Sequence, residues 1–245
     1  MSRIIAIVEA RMSSSRLPGK VLLPALGTPM LGHLINRLKS VKSIDDIIIA
    51  TTVNDADLPI VNFSKEIGVH CFRGSEENVM ARVIAAAEVM RADIIVEITG
   101  DCPIIDPDIV EQTIQMYIYN DADYVSNGHI RSYPDGMDTQ VFSLEIIKKS
   151  ASMTNNALDQ EHVTLHIRNN PEVFSHLHLL APPSLCWPEL GLTLDEEADY
   201  KLLKKIIETI GVDNSLFGCS EVISFLKEYP EFVDINKSVI RIGDN

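Results

Sequence analysis

Three cationic side chains lie close together in a polar stretch near the N-terminus, directly after an apolar run. Arg11, Arg16 and Lys20 fall within ten residues of a chain that is otherwise acidic. Guanidinium and ammonium groups next to a glycine, here Gly19, commonly hold phosphate at the edge of a sheet. The stretch predicts an anion site, and a solvated basic loop is the alternative.

The stretch matches neither of the two common phosphate-binding motifs. The Walker pattern requires a glycine five positions before Gly19 and a hydroxyl residue after Lys20, but Ser14 and Val21 stand there. The dinucleotide fingerprint GxGxxG is also missing. A phosphate site here would depend on the cations themselves and on nearby backbone N–H groups.

Asp101 stands in the stretch TGDCP, directly after the apolar run Ile94–Ile98. A carboxylate at this place could share a magnesium ion with phosphate oxygens. A simple turn is the alternative, but Asp106 before Pro107 already fits the cap and first position of the next helix. This leaves Asp101 as the predicted metal ligand.

Asp195 is a second acidic candidate, because it ends the apolar stretch LTLD before a helix pattern. Here the spacing of Thr193 and Glu196 is that of a capping box, and the carboxylate could merely complement the helix dipole. Spacing alone therefore leaves a metal ligand and a helix cap equally open for Asp195.

An alternation of strand and helix patterns would position these residues. Apolar runs predict strands at Ile4–Val8, Ile47–Thr52, Val69–Phe72, Ile94–Thr99 and Tyr124–Ser126, with helices at Pro29–Val41, Asn78–Met90 and Pro107–Tyr119. The alternation predicts an α/β fold with a doubly wound, mostly parallel, Rossmann-like sheet. Ligands of such sheets bind beyond the carboxyl ends of the strands, where the cations and Asp101 would meet.

The alternation breaks between residues 127 and 186, where we predict a small inserted α+β lobe. Two short helix patterns, Leu144–Ser150 and Glu161–Arg168, precede the alternating stretch Val173–Leu180. The sheet is predicted to resume at Leu190–Leu194, with helices at 196–210 and 220–229 after it. The 245 residues thus predict a single domain, 1–245, with one insertion.

Charge and cysteine content argue against several classes of protein. With 21 Lys and Arg against 35 Asp and Glu, the net charge of −14 argues against binding to nucleic acid or to an anionic membrane. The four cysteines form no CxxC pair, which predicts reduced thiols in a cytoplasmic protein. The N-terminal apolar run is too short for a secretion signal or a membrane span.

Five motifs, in chain order, resemble those of the sugar cytidylyltransferases. The first is ARMSSSRLPGKVL at 10–22. The others, GDCPIIDP at 100–107, YPDGMD at 133–138, EHVT at 161–164 and LTLD at 192–195, resemble the spore-coat-polysaccharide branch, a relative of the octulosonate and acylneuraminate cytidylyltransferases. The chain is identified as a member of this family, which implies a nucleotidyltransferase fold.

The resemblance implies a Mg²⁺-dependent enzyme that joins CTP to a sugar acid of the nonulosonic or octulosonic type, with release of pyrophosphate, for surface polysaccharide synthesis. It makes Lys20, Arg16, Asp101 and Asp195 the catalytic residues, with Mg²⁺ on the two aspartates. The further nucleotide contacts implied are Ala10, Arg11, Ser14, Ser15, Gly19 and Arg82, and the sugar contacts are Asp135, Asp138, Gln140, Glu161 and His162. A solvated helix arginine is the alternative for Arg82. Relatives also imply that the lobe at 127–186 binds the sugar and helps to form a homodimer.

Three positions depart from the family pattern. Ser13 stands where relatives often have glycine, so a positive φ there would be strained. Glu9 replaces a more usual glutamine, and Gln140 a more usual glutamate. We hypothesise that the last two changes are linked and move one negative charge from the sugar side to the nucleotide side.

Other functions stay open at this point. The same fold could serve another acceptor, such as a sugar 1-phosphate or a phosphonate, or another base. A metal-dependent glycosyltransferase would need a DxD motif, and Asp121-Ala122-Asp123 has that spacing, although it fits a helix-to-strand turn more simply. A non-catalytic nucleotide-binding module would keep Lys20 but release no pyrophosphate.

Overall fold

The computed structural model describes residues 2–241, and within them a seven-stranded sheet runs through the protein. Its strands are β1 (Ile4–Glu9), β4 (Asp46–Thr52), β5 (His70–Gly74), β6 (Ile94–Thr99), β7 (Tyr124–Ser126), β8 (Gln140–Ser143) and β9 (His176–His178), while β2 (Pro24–Ala25) and β3 (Thr28–Pro29) form a separate hairpin. The order across the sheet is β5-β4-β1-β6-β8-β7-β9, and β8 is antiparallel to both of its neighbours. The other pairings in the sheet are parallel, as predicted.

Helices cover both faces of this sheet. They are α1 (Met30–Leu38), α2 (Leu58–Glu66), α3 (Val79–Met90), α4 (Pro107–Ile118), α5 (Leu144–Met153), α6 (Ala157–Glu161), α7 (Leu165–Asn169), α8 (Glu197–Ile210) and α9 (Cys219–Glu228). Helix α2 has no counterpart among the predicted helices, because it is short and buries only Ile60 and Ser64.

The central strand β1 explains why the sheet is doubly wound. Its alternate side chains enter two different cores: Ile4, Ala6 and Val8 pack with residues of α1 and α4, while Ile5 and Ile7 pack with residues of α3. A strand that is buried on both faces reads as a continuous apolar run, which is what the sequence shows. The predicted α/β fold with a mostly parallel sheet is confirmed.

The segment 127–186, predicted as an inserted lobe, supplies β8 and β9 to the main sheet and three short helices beside it. The following stretch, Leu190–Leu194, does not form the predicted strand. Its one ladder contact is an isolated bridge between Gly191 and Asp135. The N–H of Leu194 instead donates to the carbonyl of Asp101 at 2.8 Å, so this stretch connects two distant loops.

None of the helices in the part of the chain that the structure describes combines the length and hydrophobicity needed to span a membrane. All four cysteines are free thiols, and Cys102 and Cys219 are buried. Burial raises the pKa of the Cys102 thiol well above its ordinary value, an effect to which the nearby Asp101 adds. A small buried thiol, rather than a nucleophile, therefore follows Asp101.

Candidate active site

The carboxyl ends of β1 and β6 lie side by side, because Glu9 pairs with Thr99 in parallel register. The N–H of Gly100 donates to the carbonyl oxygen of Glu9 at 2.7 Å. A Cβ atom at position 100 would come within 2.5 Å of that oxygen, so only glycine fits. This close approach places Asp101 beside the start of the cationic loop.

The cationic loop, residues 10–20, is held by backbone hydrogen bonds and by one aspartate. The N–H of Gly19 donates to the carbonyl of Met12 at 2.9 Å, which closes the loop. The N–H of Met12 donates to Asp57 at 2.7 Å, and the buried Asp57 carboxylate also accepts from the N–H and hydroxyl of Thr52. Asp57 was not predicted as part of the site, although it follows a strand that ends at this same edge.

Ser13 does not produce the strain that its position suggested. In the described part of the chain, Leu26 and Arg91 are the non-glycine residues with positive φ, so Ser13 has an ordinary backbone conformation. Its hydroxyl donates to Glu76 at 2.8 Å. The loop accommodates serine and uses the added hydroxyl as an anchor.

Asp101 and Asp195, which are far apart in the chain, meet at Lys20. The Lys20 Nζ atom lies 3.0 Å from Asp101 Oδ2 and 3.0 Å from Asp195 Oδ1. The guanidinium of Arg16 lies 2.8 Å from the same Asp195 oxygen. All four predicted catalytic residues are therefore brought together at one edge of the sheet.

The mutual contacts decide the charge of this group. Burial alone would lower the pKa of Lys20, but the neighbouring carboxylates of Asp101 and Asp195 outweigh it and raise that pKa above its ordinary value. Burial alone would raise the pKa of Asp101, but Lys20 and a hydrogen bond with Thr99 leave it below its ordinary value. The contact between Lys20 and Asp101 thus favours the charged form of both groups.

The donor set fits a divalent ion that binds together with phosphate. A cation already lies between the two carboxylates, and magnesium is commonly bound by one or two carboxylates plus substrate phosphates. Among residues 2–241 no group of three or more His, Cys, Asp or Glu side chains is placed to hold a metal. An ion here would rely on Asp101, Asp195 and oxygens brought by the substrate.

A cavity of about 760 Å³ extends from this group along the end of β1. Lys20, Asp101 and Asp195 lie at its edge, and among the predicted nucleotide contacts Ala10, Arg11, Ser14, Ser15, Arg16 and Arg82 also line it. Gly19 supports the loop from outside the lining. Arg11 forms an ion pair with Glu76 at 3.7 Å, and the buried Arg82 donates to the carbonyl of Ser75.

The five residues predicted to contact the sugar fall into three places. Glu161 and His162 line the same cavity as the cations. Asp135 and Asp138 lie together outside that lining and share the guanidinium of Arg131, at 2.9 and 3.0 Å. Gln140 is separate from both pairs. The hydroxyl of Thr193 links Asp135 to Asp195, at 3.3 and 3.4 Å, so the aspartate pair adjoins the catalytic group.

Gln140 belongs to a partly buried chain of polar side chains that reaches Glu9. Its amide nitrogen donates to the carboxylate of Glu97, and its amide oxygen accepts from the hydroxyls of Tyr124 and Thr164, both at 2.5 Å. Glu97 is also hydrogen-bonded to Glu9. The two departures from the family pattern, Glu9 and Gln140, thus contact the same carboxyl group.

Glu9 is protonated more easily than an ordinary glutamate. Burial, and then the charge of Glu97, raise its pKa well above the ordinary value of 4.5, and its Oε1 atom is buried without a hydrogen-bond partner. Because the folded protein keeps this proton at a pH where the unfolded chain has lost it, the free energy of unfolding falls as pH rises above 4.5.

Glu9→Gln is therefore expected to stabilise the protein at neutral pH, by about 1 kcal/mol. Glutamine keeps a donor for Glu97 and has no proton to lose. Urea unfolding at pH 5 and pH 8 would measure this, and the advantage of Glu9→Gln should grow with pH. Glu208→Gln, at an exposed position of α8, is the control and should show no such trend. An advantage that does not depend on pH would contradict the raised pKa of Glu9.

The link between positions 9 and 140 can be tested by a double-mutant cycle. Gln140→Glu would replace the donor to Glu97 by a third carboxyl group, at an expected cost of about 1–3 kcal/mol in the free energy of unfolding. Adding Glu9→Gln should recover part of this loss, with a coupling energy of at least about 0.5 kcal/mol. Additive effects on stability and on CTP affinity would remove the case for a linked change.

The DxD-like stretch lies far from this site. Asp123 directly precedes β7, which runs parallel to β6, so the stretch lies at the opposite edge of the sheet. The Asp123 carboxylate accepts from the backbone and hydroxyl of Ser175 at 2.9 and 3.2 Å. It has the structural role of a helix-to-strand turn, which removes the DxD argument for a glycosyltransferase.

Comparison with known proteins gives consistent similarities. Residues 5–209 match the family model described as cytidylyltransferase. The spore coat polysaccharide biosynthesis protein SpsF of Bacillus subtilis is 32% identical over 238 residues, 94% of this chain and 97% of that protein. A 3-deoxy-manno-octulosonate cytidylyltransferase of Trichlorobacter lovleyi is 32% identical over 120 residues, 48% of this chain and 46% of that enzyme. The structure of a cytidylyltransferase from Leptospira borgpetersenii superposes with a TM-score of 0.91 at 29% identity, covering 99% of this chain and 100% of that one.

Proposed function

The chain belongs to the cytidylyltransferase family, and from this premise we propose that it joins CTP to a sugar acid of the nonulosonic or octulosonic type and releases pyrophosphate. The product would serve the synthesis of a surface polysaccharide. The relatives support both halves of the proposal: one is named as a 3-deoxy-manno-octulosonate cytidylyltransferase and the other for spore coat polysaccharide biosynthesis.

One observation carries the proposal: the Lys20 ammonium lies 3.0 Å from each of two carboxylates, with Arg16 beside it. Two carboxylates next to two movable cations can exchange partners when a triphosphate arrives. Lys20 and Arg16 would turn to the phosphates, and Asp101 and Asp195 would then hold Mg²⁺. When bound, this ion would supply positive charge to the α-phosphate and to the attacking hydroxyl.

The reaction is an in-line displacement at phosphorus. A sugar hydroxyl oxygen forms a bond to the α-phosphorus, the bond from that phosphorus to the oxygen bridging to the β-phosphorus breaks, and the hydroxyl proton leaves to solvent. Negative charge grows on the departing pyrophosphate, where Lys20 and Arg16 would neutralise it. The chain contributes position and electrostatics, which are the main protein contributions to phosphoryl transfer.

The acceptor is proposed to bind between the catalytic group and the segment 127–186. Asp135 and Asp138 can accept from sugar hydroxyls, and Arg131, which lies between them, can meet a sugar carboxylate. Glu161 and His162, which line the cavity, would contact the sugar directly. Gln140, which is hydrogen-bonded to Glu97, would support the sugar site from the sheet.

A homodimer in the cytoplasm is proposed as the working form, with the segment 127–186 at its interface. The support is a set of large apolar side chains that this segment exposes: Ile130, Met153, Leu158 and Leu180. Light scattering on the purified protein would measure the mass, and a monomer at micromolar concentration would overturn this part of the proposal.

The deciding experiment is a pyrophosphate-release screen. Four nucleoside triphosphates would be combined with sugar acids, sugar 1-phosphates and phosphonates, each with and without Mg²⁺. Release that needs CTP, a sugar acid and Mg²⁺ together is the expected result. Release with another base or with a phosphorylated acceptor would reassign the substrate, and no release with any pair would overturn the enzymatic function.

A further inference from the structure

The end of the described chain returns to the catalytic group. Asn236 is buried and its amide nitrogen donates to the carbonyl of Gly191 at 2.9 Å and to Asp199 at 2.8 Å. Five residues later, Arg241 extends its guanidinium into the same place. This contact could not be predicted, since the residues after Pro230 have no pattern that points to a site.

Arg241 contacts the residues on both sides of Asp195. Its Nη2 atom lies 2.6 Å from Asp199 Oδ1, and its Nη1 atom donates to the Thr193 hydroxyl at 2.6 Å. Nη1 also lies 3.7 Å from Asp195 Oδ2, and Nε lies 3.8 Å from Asp135 Oδ2. Asp199 is fully buried, and besides Arg241 its carboxyl group accepts from Asn236 and from the N–H groups of Asp195 and Glu196.

The two oxygens of Asp195 have different partners. Oδ1 faces Lys20 and Arg16, the cations that a triphosphate would attract away. Oδ2 faces Thr193 and Arg241, which are hydrogen-bonded to each other. Thr193 and Arg241 therefore contact Asp195 through the oxygen that Lys20 and Arg16 do not use.

Position 191 is shaped around this guanidinium. A Cβ atom on Gly191 would lie 2.1 Å from Arg241 Nη2 and 2.3 Å from its Cζ and Nε atoms. No side chain fits there while Arg241 keeps its place. The place of the Arg241 guanidinium therefore depends on Gly191, and a substitution at either position tests the same contact.

We propose that Arg241 is a positioning residue that orients Asp195 for the divalent ion that accompanies the nucleotide. The inference rests on the proposed function, because it assumes that Asp195 is a metal ligand. Arginine is needed because its planar fork reaches Asp199, Thr193 and Asp195 at once, which a lysine ammonium does not. Partners that orient metal ligands typically contribute 10–100-fold in metal affinity.

The test compares binding of Mn²⁺-CTP with binding of CTP in EDTA, without any acceptor, for the wild type and for Arg241→Lys. Lysine keeps a charge for Asp199, so the protein should fold. Expected is a Kd for Mn²⁺-CTP that rises about 10-fold or more, with the Kd for metal-free CTP unchanged within about twofold. Gly191→Ala, which would displace the guanidinium, should reproduce the effect. Lys237→Ala, in the same segment but exposed, should not.

The outcomes separate the two proposals. If the wild type binds CTP no better with Mn²⁺ than without it, the metal site and this inference both fail. If Mn²⁺ tightens CTP binding equally in the wild type and in Arg241→Lys, the metal site stands and the positioning role is overturned. Loss of thermal stability with unchanged Mn²⁺-CTP affinity would likewise reduce Arg241 to a purely structural role.

Discussion

Lys20→Ala is expected to lower kcat for pyrophosphate release by about 10²–10³-fold, the cost of removing one preorganised charge contact. In the proposed reaction the ammonium turns from Asp101 and Asp195, each 3.0 Å away, to the departing pyrophosphate and neutralises the charge that grows there. The measurement is steady-state release of pyrophosphate at saturating CTP and acceptor. Lys201→Ala, which removes an exposed ion pair on α8, is the matched control.

Lys20→Ala also makes a prediction that does not depend on catalysis. Without the ammonium, two carboxylates face each other with one cation fewer, so the folded protein should be less stable at neutral pH. Mg²⁺ alone should then raise the melting temperature of Lys20→Ala more than that of the wild type, since the ion can replace the lost charge. Unchanged turnover, or no difference in the response to Mg²⁺, would contradict the assignment of Lys20.

Asp101→Asn is expected to lower kcat by at least about 10²-fold and to raise the Mg²⁺ concentration needed for half-maximal rate. The amide oxygen is a weaker ligand, and the change also removes a charge that holds Lys20 in place. Asp108→Asn is the control. Asp108 is exposed in the first turn of α4, on the same side of the sheet as Asp101.

The stability difference between Asp101→Asn and the wild type should change with pH in a definite direction. The pKa of Asp101 is below its ordinary value of 3.8, so the carboxylate stabilises the wild type above that pH and loses the contribution below it. Asp101→Asn should therefore be less stable than the wild type at neutral pH, and the difference should shrink as the pH falls below 3.8. A difference in unfolding free energy that stays constant down to pH 3 would count against the ion pair with Lys20.

Local patterns explain how much of this arrangement could be predicted. Strands β1 and β6 are rich in apolar residues because both of their faces are buried, and parallel strands put their following loops at one edge. This was enough to place Arg16, Lys20 and Asp101 together. The family resemblance added Asp195, which spacing alone left undecided between a metal ligand and a helix cap.

The residues that were missed act through contacts between distant parts of the chain. Leu190–Leu194 is apolar like a strand, but Leu192 donates to Asp135 in an isolated bridge and Leu194 donates to Asp101, and no local pattern encodes this. Glu97 could have been noticed in the sequence, since a single acidic residue inside an apolar strand needs a polar partner. Arg241 left none, because its partners lie more than forty residues away.

The antiparallel strand β8 has a consequence for the order of assembly. β7 is synthesised before β8, yet within residues 2–241 its sheet neighbours are β8 and β9, both of which come later in the chain. The half of the sheet formed by β5, β4, β1 and β6 has all its strands once residue 99 has left the ribosome. A nascent chain can thus pair these four strands first, while β7 joins the sheet only after β8 has formed between it and β6.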